Sequence, residues 1–259
     1  MSRLYAHDTG ACMFDWNYWL EIFEGRVPQL VIHRPDPADR LSDEDCRRVA
    51  GSIATFQLGE QSEGRTLLRF AEDFALARNL PALPPVTALF IREEQHHAAQ
   101  LKEFMVANGI PLKKKSWTDS IFRVLRKLAG FEAAVTVLVT AEMIGFVYYR
   151  ALARATGSPC LKTICRSMCA DESLHLRYET QLLMTLRGER RPLPRRAVEL
   201  AHRMLLVVSA HIVFHDHRRV LSHVGYDART FRRDCLAIYR MAMRNGSYRP
   251  RERDRSLAS

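Results

Sequence analysis

Apolar residues recur at helical spacing along almost the whole chain, and they rarely alternate one by one. "MFDWNYWLEIF" (13–23) places aromatic side chains on one stripe of a short amphipathic helix, inside an arm that covers 1–41. Ser42 followed by Asp45 marks a helix start. From there Ile53, Phe56, Leu67, Leu68, Ala71 and Phe74 fit one face of a single helix over 43–78. "LPALPP" (80–85) breaks the chain, because proline removes a backbone donor and restricts the residue before it. The pattern predicts further helices over 86–107, 131–156, 159–187, 195–223 and 227–244, punctuated by Gly109, Gly157, Pro159 and Gly188. "KKKSWTDS" reads as a loop leading to a short helix that reaches Leu128, and "QLVIH" (29–33) as a short extended piece. The expectation is an all-α, single-domain chain. It has a four-helix bundle over 43–187, the N-terminal arm, two additional helices over 195–244 and a basic tail over 245–259.

Composition adds limits. At 47% hydrophobic in 259 residues, the chain can bury a sizeable core. No run of about 18 uncharged apolar residues occurs, so no membrane span is expected. Asp8, Asp15, Glu21 and Glu24 leave no basic-then-apolar leader. The six cysteines (12, 46, 160, 165, 169, 235) form no CxxC pair and read as free thiols of a reducing, cytoplasmic setting. The formal charge of +10 lies largely in "RGERRPLPRR" and the tail; no nucleic-acid-binding motif accompanies it, which argues against a nucleic-acid partner. A homodimer stays open.

The chemistry lies elsewhere. "IREEQHHAAQL" (91–101) carries Glu94 and His97, and "CADESLHLRYE" (169–179) carries Glu172 and His175, each pair three apart and so on one helix face. Each is preceded by a helix with a central glutamate. On the later one it is Glu142, in "VLVTAEMIGFVYY"; on the earlier one it is Glu60 or Glu63, in "TFQLGEQSEGRTLL". The chain therefore reads Glu, Glu-x-x-His, twice over, with 34 residues from Glu60 to Glu94 and 30 from Glu142 to Glu172. That spacing lets antiparallel helices bring their centres to one height. Four carboxylates balance two divalent cations, and a mixed oxygen and nitrogen set suits iron or manganese.

On "EEQHH" and "DESLH" the chain resembles the ferritin-like di-iron carboxylate superfamily. That group includes rubrerythrin, bacterioferritin, the ribonucleotide reductase small subunit, acyl-carrier-protein desaturases, bacterial multicomponent monooxygenases and p-aminobenzoate N-oxygenases. The resemblance covers 43–187. It implies two irons, with manganese as the other choice, held by Glu60, Glu94, His97, Glu142, Glu172 and His175. A small residue before the first-helix ligand, here Gly59, favours Glu60 over Glu63. The resemblance also implies that Asp171 and Glu93 accept hydrogen bonds from the histidine of the opposite half.

Three reactions compete within such a group: oxygenation of an organic substrate, iron or peroxide handling, and radical generation. The radical reading expects a tyrosine four residues after the first histidine, where this chain has Leu101. The rubrerythrin reading expects two CxxC pairs. The chain also carries long segments outside the bundle, suited to covering a substrate pocket. The expectation is an O2-activating oxygenase that hydroxylates, N-oxygenates or desaturates a small or carrier-bound substrate. It would draw electrons from an external reductase or ferredoxin, since no Gly-rich flavin or dinucleotide motif is present. His211 and His215, in "SAHIVFHDH", read as core histidines at the end of the bundle, with an extra metal ligand or a proton relay as the functional alternatives, and Asp216 and His217 as facing solvent or paired with Arg218 and Arg219.

Overall fold

A computed structural model describes residues 14–36, 38–61, 64–114, 130–188 and 192–245, the side chains of 192–195 and 245 excepted. The described residues are helical, with no strand among them. The helices are α1 (Trp16–Arg26), α2 (Asp43–Glu60), α3 (Arg65–Arg78), α4 (Leu83–Ala107), α5 (Gly130–Ala155), α6 (Pro159–Gly188), α7 (Pro192–Asp216), α8 (Arg218–His223) and α9 (Ala228–Asn245).

The starts follow local chemistry. The Asp15 side chain accepts from the backbone N–H of Asn17 and Tyr18 and opens α1; Ser42 accepts from Asp45 N at 3.1 Å and opens α2, where the sequence placed it. Pro84 and Pro85 sit inside the first turn of α4, so that helix begins three residues before the expected 86. A proline in the first turn forfeits no intrahelical bond. Asp39 reaches from the arm to the start of α6 and accepts from Cys160 N at 2.6 Å and Ser158 Oγ at 3.1 Å. The expected extended piece at 29–33 pairs with no strand. Instead the Gln100 side chain completes the His33 backbone, accepting from its N–H at 2.6 Å and donating to its C=O at 2.7 Å.

Two expected helices are broken. The single helix over 43–78 divides into α2 and α3 at Gly64, whose φ of +65° lies in the left-handed region. A Cβ there would sit 2.5 Å from Ile91 Cγ2, so the glycine also permits α3 to approach α4. The apolar stripe runs through the break because both pieces lean on α4. As a result Glu60 ends α2 instead of lying at mid-helix. The helix expected over 195–223 breaks at His217, whose ring turns inward, with Nδ1 2.7 Å from Ser52 Oγ. The short helix expected to end at Leu128, and Glu63, lie outside the described residues, as does Cys12; the other five cysteines are free thiols.

The helices close a ring: α2 and α3 on α4, α4 on α6, α6 on α5, and α5 back on α3 and α2. α1 packs along α4, and α7 and α9 lie side by side over α5. One continuous apolar cluster runs from Trp16 to Ala242.

Two tests follow from this packing. Gly64→Ala should lower the thermal midpoint, at a cost of about 1 kcal/mol or more, since it adds strain and a clash with Ile91. Gly145→Ala should instead raise it by up to about 1 kcal/mol, because its Cβ would meet Tyr149 at an ordinary 3.7 Å within a regular helix. The second test concerns acid. Burial, then the Lys113 charge, pulls His217 from 6.5 down to about 3, and burial, then the Arg187 charge, does the same to His202. A folded value below the unfolded one means that the unfolded chain takes up the proton first. The stability is thus complete above 6.5 and is lost as pH falls toward 3. The expected loss is on the order of 1 kcal/mol per histidine by about pH 5.5. Melting curves between neutral and acid pH should show a shallower slope for His217→Gln than for the unaltered chain.

Candidate metal centre

α4 and α6 pack side by side in the ring, and each presents an acid, a glutamate and a histidine in the same order. The i, i+3 spacing turns Glu94 with His97, and Glu172 with His175, to the interior. The four side chains offer ligand atoms within 4.8 Å of one another, and the cluster they form can hold a metal ion. His175 Nδ1 lies 3.0 Å from Glu94 Oε1 and 3.5 Å from Glu172 Oε2, and His97 Nδ1 lies 3.6 Å from Glu94 Oε1 and from Glu172 Oε1. Glu94 Oε1, His97 Nδ1, Glu172 Oε2 and His175 Nδ1 are all buried without a directed hydrogen bond. Orphaned buried polar atoms are rare, and four converging on one point are what a cation would satisfy.

The outer nitrogens explain the orientation of the inner ones. His97 Nε2 donates to Asp171 Oδ2 at 3.0 Å, and His175 Nε2 donates to Glu93 Oε2 at 2.9 Å. Each histidine of one helix is thus held by an acid of the other, the crossing that the resemblance implied. With the proton on Nε2, the lone pair of Nδ1 points into the cluster, as a metal ligand requires.

Arg26, the last residue of α1, joins the two acids. Its Nε and Nη2 donate to Glu93 at 2.8 and 3.1 Å, and Nη2 also donates to Asp171 Oδ1. Burial opposes ionisation of Glu93 and Asp171, but the hydrogen bonds from His175 and Arg26 to the one, and from His97 and Arg26 to the other, hold both below the usual carboxylate range. α1 seals the same side with Phe23, which stacks on His175 at 6.2 Å, while Phe90 meets the ring edge-on at 4.9 Å. Trp19 anchors α1 by donating from Nε1 to Gln181 Oε1 at 2.7 Å. Nothing in the sequence pattern marks Arg26; its role arises from the way α1 docks.

Glu60 reaches the centre from the end of α2. It accepts from Tyr149 Oη at 2.5 Å. Burial, then the charges of Glu94 and Glu172, pushes its carboxyl well up. Tyr149 lies two turns beyond Glu142 on the same helix, a spacing that could have flagged it. Glu142 is buried on α5, fifteen residues before Gly157, while Glu172 lies fifteen after it. The α5–α6 hairpin therefore sets the two at about one height, and the contact from Cys169 Sγ to Phe146 O lies within one residue of that register. His211 and His215 stand apart from the centre, exposed on α7, whereas His217 is the buried one, packed on Phe56 and Tyr148.

The donor set by itself attracts protons. Burial lowers the His97 value, but the Asp171 hydrogen bond and the charges of Glu172 and Glu94 override it and raise the ring to about 9. His175 rises well above its ordinary range against burial, through Glu172, Glu93 and Glu94. Negative potential of this kind favours a bound cation over water.

No protein-family model matches the chain, and no curated protein matches it.

Asp171→Ala should weaken metal binding about 10- to 100-fold, because His97 loses the acceptor that fixes its tautomer. Arg26→Gln, one layer further out, should weaken it less. Titration with Co(II), followed by its visible absorption, measures both.

Proposed function

We propose that the chain is an O2-activating oxygenase built on a ferritin-like bundle with a two-metal centre. The observation that carries this reading is the pair of Glu-x-x-His units whose unpartnered Nδ1 and carboxylate atoms converge. Glu94 with His97 and Glu172 with His175 would hold two iron ions, or manganese, with Glu60 and Glu142 completing the set. When bound, such ions would relay electrons from a donor to O2, which then oxidises an organic substrate.

The chain's own side chains define the two sides of the centre. Arg26, Phe23, Phe90 and the two acids close the histidine side and exclude water there. Tyr149 holds Glu60 on the carboxylate side, where α2 ends and Gly145 leaves its helix face without a side chain. O2 and substrate would approach from that side. Monooxygenation inserts one oxygen atom into a C–H or N–H bond and releases the other as water. It therefore consumes two electrons and two protons beyond those of the substrate. The electrons would come from an external reductase or ferredoxin. The substrate would be a small or carrier-bound molecule.

The test loads the chain with Fe(II) without air and counts the metal, with about two ions per chain expected. Glu142→Ala should bind about one. Exposure to O2 with candidate acids and amines should then give a product heavier by one oxygen atom in mass spectra. Catalytic oxidation and mineralisation of added Fe(II), with no organic product, would replace this reading with that of a ferroxidase. Failure to bind iron at all would remove both.

A further inference from the structure

α7 is apolar on both faces, and only one of them is used. His202, Leu206, Ser209, Ala210 and Phe214 are buried against α5 and α9. The opposite face is exposed, with Leu200, Met204 and Val208 at 59%, 61% and 55%. Although Arg196–Asp216 is apolar enough to cross a membrane by length and composition, only 28% of that window is buried, against 56% for Gly130–Ala155. Surface helices of globular proteins usually turn charge outward, so a second apolar face needs a partner.

The order of residues on that face indicates what kind. Ala197, Ala201, Met204, Val208, His211 and His215 are all exposed and follow one another at intervals of four, three, four, three and four. This is the 3.5-residue period of a helix–helix seam. Half-buried Leu205, Val207 and Ile212 widen it. A lipid surface imposes no such period. It would gain little from two alanines and would disfavour two imidazoles. Buried His202, whose Nδ1 lies 3.2 Å from Arg187 Nη2, also ties α7 to α6.

The seam is small at one end and large at the other, and that asymmetry selects the partner. We propose that α7 pairs with α7 of a second copy of this chain, antiparallel about a twofold axis passing between Met204 and Val208. In this register Met204 meets the partner's Val208, Ala201 meets the partner's His211, and Ala197 meets the partner's His215. Each bulky imidazole finds a methyl group, and the same patch serves both copies, as a twofold interface requires. A parallel pair would set histidine against histidine and alanine against alanine, crowding one end and leaving the other hollow. The contacting His211 and His215 rings, 4.5 Å apart, already form a preset knob on each copy.

Light scattering of the full chain at micromolar concentration should give twice the 29.8 kDa of one chain. Val208→Glu should weaken the association at least 100-fold and leave helical content and metal content unchanged. Ala201→Arg, at an exposed site, should do the same and guards against misfolding of the first variant. Under oxidising conditions the A201C/H211C double variant should crosslink between copies, while each single variant should not, beyond the background of the unaltered chain. Crosslinking of each single variant would overturn the antiparallel register. A monomeric unaltered chain would overturn the pairing altogether. If that monomer sedimented with anionic phospholipid vesicles, the face would belong to a membrane surface. If it did not, another part of this chain or a different protein would cover it.

Discussion

Everything at the centre of this molecule follows from the cost of burying carboxylates. Glu93, Glu94, Glu142 and Glu172 are buried inside one helical ring, with Glu60 and Asp171 half-buried beside them. Each ionised group taken from water costs several kcal/mol unless it is paired. Two of the six have such partners: Glu93 and Asp171 share Arg26 and each holds one histidine. Of the other four, Glu94 and Glu172 converge on the two imidazoles, Glu60 comes in from the end of α2, and Glu142 is buried on α5. The packing of α4 on α6 therefore encloses a deficit of positive charge, and the protons drawn onto Glu60, His97 and His175 reflect it. A hydrophobic core would have been cheaper, so the arrangement makes physical sense around a cation.

The acid preceding each inward-facing glutamate is, for the same physical reason, as important as the glutamate itself. Neighbouring residues on a helix lie about 100° apart, so Glu93 and Asp171 look sideways at the opposite helix when Glu94 and Glu172 look inward. The crossing bonds, His97 to Asp171 and His175 to Glu93, fasten the two helices at the height of the site. Arg26 then fastens the two fasteners to α1. The aromatic arm thus serves the histidine side of the centre as a structural brace, with Phe23 and Trp19 filling the space that water would otherwise take.

Much of this was legible in the sequence, because it depends on spacing within single helices. The two Glu-x-x-His units, the buried Glu142 in an uncharged run and the Ser42 cap are local patterns, and local patterns survive folding. The rest depended on what one helix does to another. The break at Gly64 was hidden by a stripe that continues across it, because α3 and α2 rest on the same neighbour. His217 and the pair His211 and His215 exchanged places between core and surface because the helix breaks at His217 itself, which no period can show. Arg26 has no motif; it is one arginine among many until α1 docks.

Tyr149 links the two kinds of information. It lies on the face of α5 that Glu142 defines, yet its partner is Glu60 on a helix eighty-nine residues earlier in the chain. That hydrogen bond is what draws the end of α2 to the centre after Gly64 has interrupted the helix. A side chain on the last residue of a helix has one fewer turn to hold it than one at mid-helix, and the buried tyrosine hydroxyl supplies the missing restraint. The break and the tyrosine therefore belong together. The left-handed glycine lets the chain leave the ring beside the carboxylate side of the site, and Tyr149 keeps Glu60 from leaving with it. The histidine side is held by Arg26 and two crossed bonds, and Glu60 on the carboxylate side by the Tyr149 hydroxyl.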